Sequence, residues 1–204
     1  MTDQSTDTKN KILEVARILF ANQGFEGTSV REIAKAAEVN VASVNYHFSN
    51  KENLFTSIMH IGYLECSEAM RNFYAENRPS VEDSLIFLFR YFQEKSHDLL
   101  TYFKMMMSTQ HSHHMIAEGS GDEMIGPPGG QVIIEAIVKE VQGNISEEDL
   151  HWALKSLFSN VIHMSIMYQC CFKQNELPFS SPADIEKGIR RLTRVVLKDL
   201  SSHS

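Results

Sequence analysis

The sequence lacks the features of membrane proteins and of disulfide-stabilised domains. No apolar run approaches the roughly 18 residues that a membrane span needs. The N-terminal stretch MTDQSTDTK has no apolar signal region. Cysteine is scarce, and Cys66, Cys170 and Cys171 form an odd set without a C-x-x-C pair, which disfavours a disulfide framework. We therefore expect a soluble, cytoplasmic protein without a membrane partner.

Several enzyme signatures are also missing. The chain has no G-x-x-x-x-G-K-[ST] phosphate loop and no H-E-x-x-H zinc motif. The segment GSGDEM, from Gly119, lacks the third glycine and the preceding strand of a dinucleotide fingerprint. It belongs to a glycine-rich and proline-rich stretch over residues 117–130, which is typical of a flexible loop. We therefore expect no enzyme active site, no metal and no cofactor.

Excess positive charge is absent from the chain as a whole. The 19 Lys and Arg are outnumbered by 26 Asp and Glu, for a net charge of −7, which argues against a nonspecific nucleic-acid coat. The imbalance is uneven, however, because residues 1–55 carry six basic and seven acidic residues. A chain average can hide a local nucleic-acid footprint, and the N-terminal quarter is the nearly neutral part of this chain.

Helical periodicity is present throughout, and no stretch alternates convincingly as a strand. Ser29 with Glu32 predicts one capping box, and Ser49 with Glu52 predicts another. Gly24 marks the expected end of the first helix. The helical spacing i, i+3, i+4, i+7 occurs at Ile12, Val15, Ala16 and Leu19, and again at Val30, Ile33, Ala34 and Ala37. We predict an all-α chain, with domains over residues 1–55 and 56–204.

The stretch between the two capping boxes has the layout of a helix-turn-helix. Its middle helix ends near Ala37, the turn covers residues 38–40, and a short helix restarts at Val41. A recognition helix is short because only its first turns enter the major groove, which is about 12 Å wide. We expect Val39, Val44 and Phe48 to point inward, with Val41, Ala42, Ser43, Asn45 and Tyr46 outside. The alternative is a three-helix cap without a ligand.

The motifs TSVREIAKAAEV and VNYHFSNKENL resemble the DNA-binding domain of the TetR family of bacterial repressors, over roughly residues 8–58. The resemblance implies a three-helix helix-turn-helix domain followed by a helical dimerisation and ligand-binding domain. It also implies a ligand-responsive repressor that binds a pseudo-palindromic double-stranded DNA operator as a homodimer. Two successive major grooves, roughly 34–36 Å apart, would then be read by two copies.

The resemblance also implies roles for individual residues. Arg31 and the exposed positions Val41, Ala42 and Ser43 would meet base edges. Arginine suits guanine, serine can bond either base, and alanine or valine can touch a thymine methyl. The residues implied for phosphate or sugar are Asn45, Tyr46, His47 and Lys51, and Tyr46 could also pack on a base. Asn45 and Glu38 depart from the family pattern, which favours an aromatic and a small residue there. His47 could instead serve only to pack beside Phe48.

The C-terminal part predicts an interface and a ligand cavity. The apolar stripe expected to form the dimer interface is Ile185, Ile189, Leu192 and Val196. Methionine is concentrated in residues 105–167, either as core filler or as the lining of an adaptable cavity for a small hydrophobic, neutral or cationic effector. The candidate lining residues are Tyr102, Phe103, Met106, Met107, His111, Trp152, His163, Met164, Met167 and Tyr168. A ligand there would act on DNA binding by tilting the fourth helix.

A metal or redox protein is the alternative function. Helical di-iron bundles use Glu-x-x-His pairs, and the chain has two, Glu94 with His97 and Glu148 with His151, although chance predicts about one. The run QHSHHM places His111, His113 and His114 close together as possible zinc or copper ligands. A polar helix end leading into the glycine-rich loop explains the same run.

Overall fold

A computed structural model describes residues 2–107, 127–173 and 180–202. The regular structure in these ranges is helical throughout, which confirms the all-α prediction. The elements are α1 (Thr2–Gly27), α2 (Val30–Ala36), α3 (Val41–Phe48), α4 (Lys51–Asn77), α5 (Val81–Glu94), α6 (Ser96–Met107), α7 (Gly130–Val141), α8 (Glu147–Met167), a π-helical turn (Tyr168–Phe172) and α9 (Pro182–Ser202). None of the helices in the described ranges is long and apolar enough to cross a membrane.

The chain divides into two compact units. Unit 1 comprises Met1–Tyr63 and His97–Ile125, and unit 2 comprises Leu64–Ser96 and Gly126–Ser204. Helix α4 thus begins in unit 1 and ends in unit 2, while α6 lies in unit 1 from His97 onward. The domain boundary expected at residue 55 stays a prediction.

The core of unit 1 is built from the apolar faces of its short helices and of α4. Gly24, with φ of 77°, breaks the helical path of α1 near the predicted position. Beyond it, Phe25 folds back so that its ring packs against Phe20 and Phe55, with ring centroids 5.4–5.7 Å apart. The fully buried side chains of this core include Ile12, Ala16, Phe20, Ile33, Leu54, Phe55 and Met105. Burial of these side chains is the main force that fixes the three N-terminal helices.

Three helices of unit 2, α5, α8 and α9, start at capping serines. The hydroxyls of Ser80, Ser146 and Ser181 accept hydrogen bonds, at 3.0, 3.1 and 3.2 Å, from the backbone N–H groups three residues ahead. Helices α5, α7, α8 and α9 pack against one another around a buried apolar core. The buried positions of α5 include Val81, Leu85, Leu88 and Phe92, which form the inner face of that helix.

Candidate nucleic-acid interface

Helix α2 begins at the predicted capping box. The Ser29 hydroxyl accepts from the backbone N–H of Glu32 at 3.2 Å, and the Glu32 carboxylate accepts from the backbone N–H of Ser29 at 2.9 Å. Hydrogen bonds from the Ser29 hydroxyl and N–H lower the pKa of Glu32. Arg31 lies within this capped first turn and is exposed. The capping box therefore presents the Arg31 side chain from a backbone that is locally fixed.

The turn between α2 and α3 depends on an unusual backbone conformation at Glu38. Its φ is 56°, in the left-handed region that glycine adopts at least cost. The backbone N–H of Val39 then reaches the Ala34 carbonyl at 2.9 Å, which closes the end of α2. This geometry explains why a small residue suits the position. The exposed carboxylate of Glu38 bonds Lys11 at 2.8 Å, and this contact lowers the pKa of Glu38.

Helix α3 is capped by Asn40, a residue that the sequence analysis passed over. Its Oδ1 accepts from the backbone N–H of Ser43 at 2.6 Å and from the Ser43 hydroxyl at 3.0 Å. The Ser43 hydroxyl hydrogen is therefore used within the protein. Its oxygen keeps acceptor capacity for a donor on a base edge. An Asn directly before the first apolar position is an ordinary capping signal and could have been found.

The two sides of α3 differ sharply in exposure. Val44 and Phe48 are 1% and 4% exposed and lie in the core of unit 1. We use the name reading face for the exposed positions Val41, Ala42, Asn45 and Tyr46. Tyr46 is 82% exposed, an uncommon state for an aromatic side chain that has a core beside it. The helix thus keeps an apolar anchor on one side and presents small, polar and aromatic groups on the other.

The end of α3 corrects one expectation about helix starts. Helix α4 is capped by Asn50, whose Oδ1 accepts from the backbone N–H of Asn53 at 2.7 Å. The capping box expected from Ser49 and Glu52 is wrong, because Ser49 instead ends α3 with a φ of 64°. His47 is half-buried, with its ring 5.2 Å from the Tyr46 ring and 6.2 Å from the Phe48 ring. It lies at the border between the reading face and the core.

Lys51 has a structural role that the sequence analysis did not foresee. Its Nζ donates hydrogen bonds to the backbone carbonyls of Phe25 at 2.9 Å and Thr28 at 3.1 Å. The same ammonium lies 4.1 Å from the centroid of the Phe25 ring, within cation–π range. We call these contacts the Lys51 clamp. An ammonium has three donors, so at most one N–H is left for the phosphate contact expected of this residue.

The structure corrects the expected dimer interface. Ile185, Ile189 and Val196 are only 2–4% exposed within a single chain, because they face the core of unit 2. A second copy therefore cannot contact them without unfolding that core. A neighbouring side of α9, which we call its outer face, carries Gly188, Leu192 and Val195 at helical spacing i, i+4, i+7. Val195 is 60% exposed, and the space beside Gly188 is open.

The effector candidates in α6 contribute mainly to unit 1. The Tyr102 ring lies so close to Gly62 that a Cβ there would come within 2.5 Å of it. Asp98, one turn earlier, accepts a hydrogen bond from Arg17 of α1. Burial opposes the charged form of Arg17, but its contacts with Asp98 and Tyr102 raise its pKa overall. Phe103 and Met107 line a shallow groove with the end of α1, and Met106 is partly exposed.

The remaining effector candidates lie in unit 2 or outside the described residues. Trp152 is 51% exposed, and His163 is also exposed. The half-buried candidates there are Met164, Met167 and Tyr168. The residues 111, 113 and 114 of the histidine run lie outside the described residues. The structure thus divides the candidate set between the two units.

The Glu-x-x-His pairs do not form the interior site that they would need. All four side chains, Glu94, His97, Glu148 and His151, are exposed, whereas bundle metal ligands project inward. Within residues 2–107, 127–173 and 180–202, no three His, Cys, Asp or Glu side chains come together as potential metal ligands. No observation in these ranges therefore favours the di-iron alternative.

Comparisons with known proteins agree with this geometry. A family model of bacterial regulatory proteins, the tetR family, matches residues 12–58. The chain is 54% identical over 52 residues to the probable HTH-type transcriptional regulator YttP of Bacillus subtilis (strain 168), and the alignment covers 26% of this chain and 25% of that protein. The similarity thus spans about a quarter of the relative's length.

Solved structures extend the similarity to most of the chain at the level of the fold. A Shewanella sp. PV-4 protein assigned to the tetR family has a TM-score of 0.69 at 17% identity, covering 92% of this chain and 97% of that one. FadR of Bacillus subtilis, solved in complex with stearoyl-CoA, has a TM-score of 0.66 at 15% identity, with the same coverage. At these identities the similarity establishes a shared fold.

Proposed function

Because the chain belongs to the tetR family of bacterial regulatory proteins, we propose that it is a ligand-responsive transcriptional repressor. In this proposal it binds a pseudo-palindromic DNA operator as a homodimer and leaves the operator when a small hydrophobic effector binds. The observation that carries the proposal is the reading face of α3. It exposes Tyr46 and Asn45 on a helix whose opposite side is anchored by buried Val44 and Phe48.

The proposed contacts divide into base readout and backbone positioning. Arg31 forms a bidentate contact with guanine, while Val41 and Ala42 touch thymine methyl groups. Ser43 accepts a hydrogen bond, since its own hydrogen is used by Asn40. The residues proposed to position the phosphate and sugar backbone are Asn45, Tyr46, His47 and the remaining donor of Lys51. The Lys51 clamp supports this arrangement by holding the start of α4 against the end of α1.

The homodimer is proposed to form through the outer face of α9. A twofold interface must be self-complementary, and an apolar helix face with an open glycine allows two copies of that helix to approach closely. Gly188, Leu192 and Val195 provide such a face. Dimerisation would place two reading faces on successive major grooves, roughly 34–36 Å apart.

Helix α6 is the proposed route by which an effector acts on DNA binding. It is attached to the DNA-binding helices through the Arg17–Asp98 ion pair, the Tyr102–Gly62 contact and buried Met105. A ligand that displaces α6 would therefore displace α1 and α4 as well. Release of DNA requires that the ligand prefer the displaced arrangement, with a coupling of about 1–3 kcal/mol. FadR, which shares this fold, was solved with stearoyl-CoA, a ligand that carries a long apolar acyl chain, and this supports an apolar portion in the proposed effector.

Selection of binding sites from a random duplex library tests the proposal. We expect one enriched palindrome, and Arg31→Ala should lose about 1–3 kcal/mol of binding free energy and relax the preference at one position of each half-site. Arg71→Ala is the matched control, because Arg71 is exposed in the part of α4 that belongs to unit 2. Recovery of no palindrome, or equal binding by Arg31→Ala and Arg71→Ala, would refute the DNA-binding assignment.

A thermal-shift screen with hydrophobic compounds, followed by operator competition, tests the effector part. The Met106→Trp and Met164→Trp variants fill space in unit 1 and unit 2 separately. A compound that displaces DNA from wild type but not from one variant assigns its site to that unit. Equal displacement from both variants would remove the methionine candidates from the effector site.

A further inference from the structure

Two side chains in unit 2 each have a buried polar atom without a hydrogen-bond partner among the described residues. Ser165 in α8 is 0% exposed, and its Oγ has no partner among the described residues. The side-chain nitrogen Nε2 of Gln93, in α5, is likewise shielded from solvent and unpartnered there. An unsatisfied buried donor is destabilising, so each such group in a native protein requires an explanation.

The two groups lie on helices α5 and α8, which pack against each other. Gln169 Nε2 donates to Gln93 Oε1 at 2.6 Å, which joins α5 to the turn that follows α8. Ser165 lies about one helical turn before Gln169, so the two side chains share a face. Turning over the Gln93 amide alone would set its NH2 group against that of Gln169, so the bond reverses only if both amides are turned over, and each amide then still has an unused N–H. We refer to Gln93, Ser165 and Gln169 as the polar cluster.

The backbone and the neighbouring side chains distinguish this region from an ordinary core. Helix α8 changes into the π-helical turn at Tyr168, and such turns occur frequently at functional sites. Met164, Met167 and Tyr168 are only half-buried, so the end of the helix is not sealed by packing. The rings of Phe92, next to Gln93 in the chain, and of Phe158 pack between α5 and α8 with centroids 6.5 Å apart. The region thus combines apolar lining with a few unsatisfied polar groups, the usual character of a small-molecule site.

We infer that the polar cluster is the recognition subsite for a neutral, mainly apolar ligand that carries a carbonyl or hydroxyl oxygen. The amide nitrogen of Gln93 can only donate, and the hydroxyl of Ser165 can donate as well, so both are satisfied by an acceptor oxygen. An ammonium would place donors against donors. A carboxylate would need a cationic partner to offset the cost of its burial. Identification of this ligand as the effector rests on the proposed function, whereas binding at the cluster does not.

Four eight-carbon probes test the inference on the full-length protein. They are 2-octanone, 1-octanol, octylammonium and octanoate, measured by thermal shift and by calorimetric titration. We expect the ketone and the alcohol to raise the Tm of wild type more than the two ions. Ser165→Ala and Gln93→Leu should each weaken 2-octanone binding about fivefold, the effect of losing one hydrogen bond. Ser159→Ala and Gln131→Leu remove exposed groups on α8 and α7 and should bind like wild type.

The stability of the unliganded variants provides the second measurement. Because the Ser165 hydroxyl has no partner to lose, unliganded Ser165→Ala should unfold at the wild-type temperature or above it. Unchanged 2-octanone affinity in both cluster variants overturns the inference, and so does stronger binding of an ion or no binding of any probe. If 2-octanone binding requires the cluster but leaves an operator complex intact, the subsite stands and the ligand-responsive part of the proposed function fails.

Discussion

Replacement of Lys51 by methionine is the most informative perturbation of the DNA-binding unit. The substitution keeps an apolar stem of similar length but removes the ammonium that bonds the carbonyls of Phe25 and Thr28. A hydrogen bond from a charged donor contributes about 1.5–3 kcal/mol, and an ammonium over an aromatic ring adds about 0.5–1 kcal/mol at accessible sites. The hydrogen bonds and the cation–π contact share one partly buried ammonium, so their contributions to stability do not add. The Phe25 carbonyl also keeps its bond from the Thr28 N–H at 3.3 Å.

We therefore expect Lys51→Met to lower the free energy of unfolding by about 2 kcal/mol, near the middle of the range for a charged donor. For a chain of 204 residues, this corresponds to a Tm about 4–8 °C lower. Urea unfolding followed by circular dichroism measures the effect. Lys35→Met is the matched control, because Lys35 is an exposed lysine of the same unit and its loss should cost less than about 0.5 kcal/mol. If the two variants unfold alike, the clamp does not stabilise unit 1.

The salt dependence of operator binding separates the clamp from a phosphate contact. Loss of one neutralised phosphate reduces the slope of log K against log salt by about 0.9. If Lys51 acts only within the protein, Lys51→Met leaves this slope unchanged and weakens binding through the disturbed position of α4. A reduced slope with unchanged stability would refute the reasoning, because it would assign the ammonium to DNA alone.

Three further predictions concern the turn, an ion pair and the assembly. Glu38→Gly should raise the Tm, because glycine removes the strain of the left-handed backbone and only the exposed ion pair with Lys11 is lost. A lower Tm measured by calorimetry would contradict this prediction. The pKa of Glu82 is lowered from 4.5, mainly by its hydrogen bond with Arg194, so its stabilising contribution is present above pH 4.5 and disappears as the pH falls below it. Thermal unfolding should therefore separate Glu82→Gln from wild type more at pH 7 than in acid. A difference in Tm that stays equally large as the pH falls well below 4.5 would exclude the ion pairs of Glu82 as its cause. Val195→Glu should keep the fold but sediment as a monomer. The control is Val138→Glu, which changes another exposed valine and should remain dimeric. A Val195→Glu protein that sediments as a dimer would place the interface elsewhere.

Features that depend on neighbours in the sequence were predictable from the sequence alone. The capping box at Ser29 and the break at Gly24 each involve residues within one helical turn. The same holds for α3, where short-range periodicity predicted that Val44 and Phe48 would be buried and Tyr46 exposed. Local hydrogen bonding and the 3.6-residue period are properties of the chain itself, which explains why these predictions are confirmed.

Contacts between distant segments were decided only by the tertiary structure. Periodicity showed that Ile185, Ile189 and Val196 share one side of α9, but only packing showed that this side faces the core of its own unit and leaves Val195 outside. Likewise, no local signal indicates that the Lys51 ammonium meets a carbonyl 26 residues earlier, at Phe25. The physical reason is that a sequence pattern specifies which side of a helix is apolar. The partner that covers that side is selected by the packing of all the helices together.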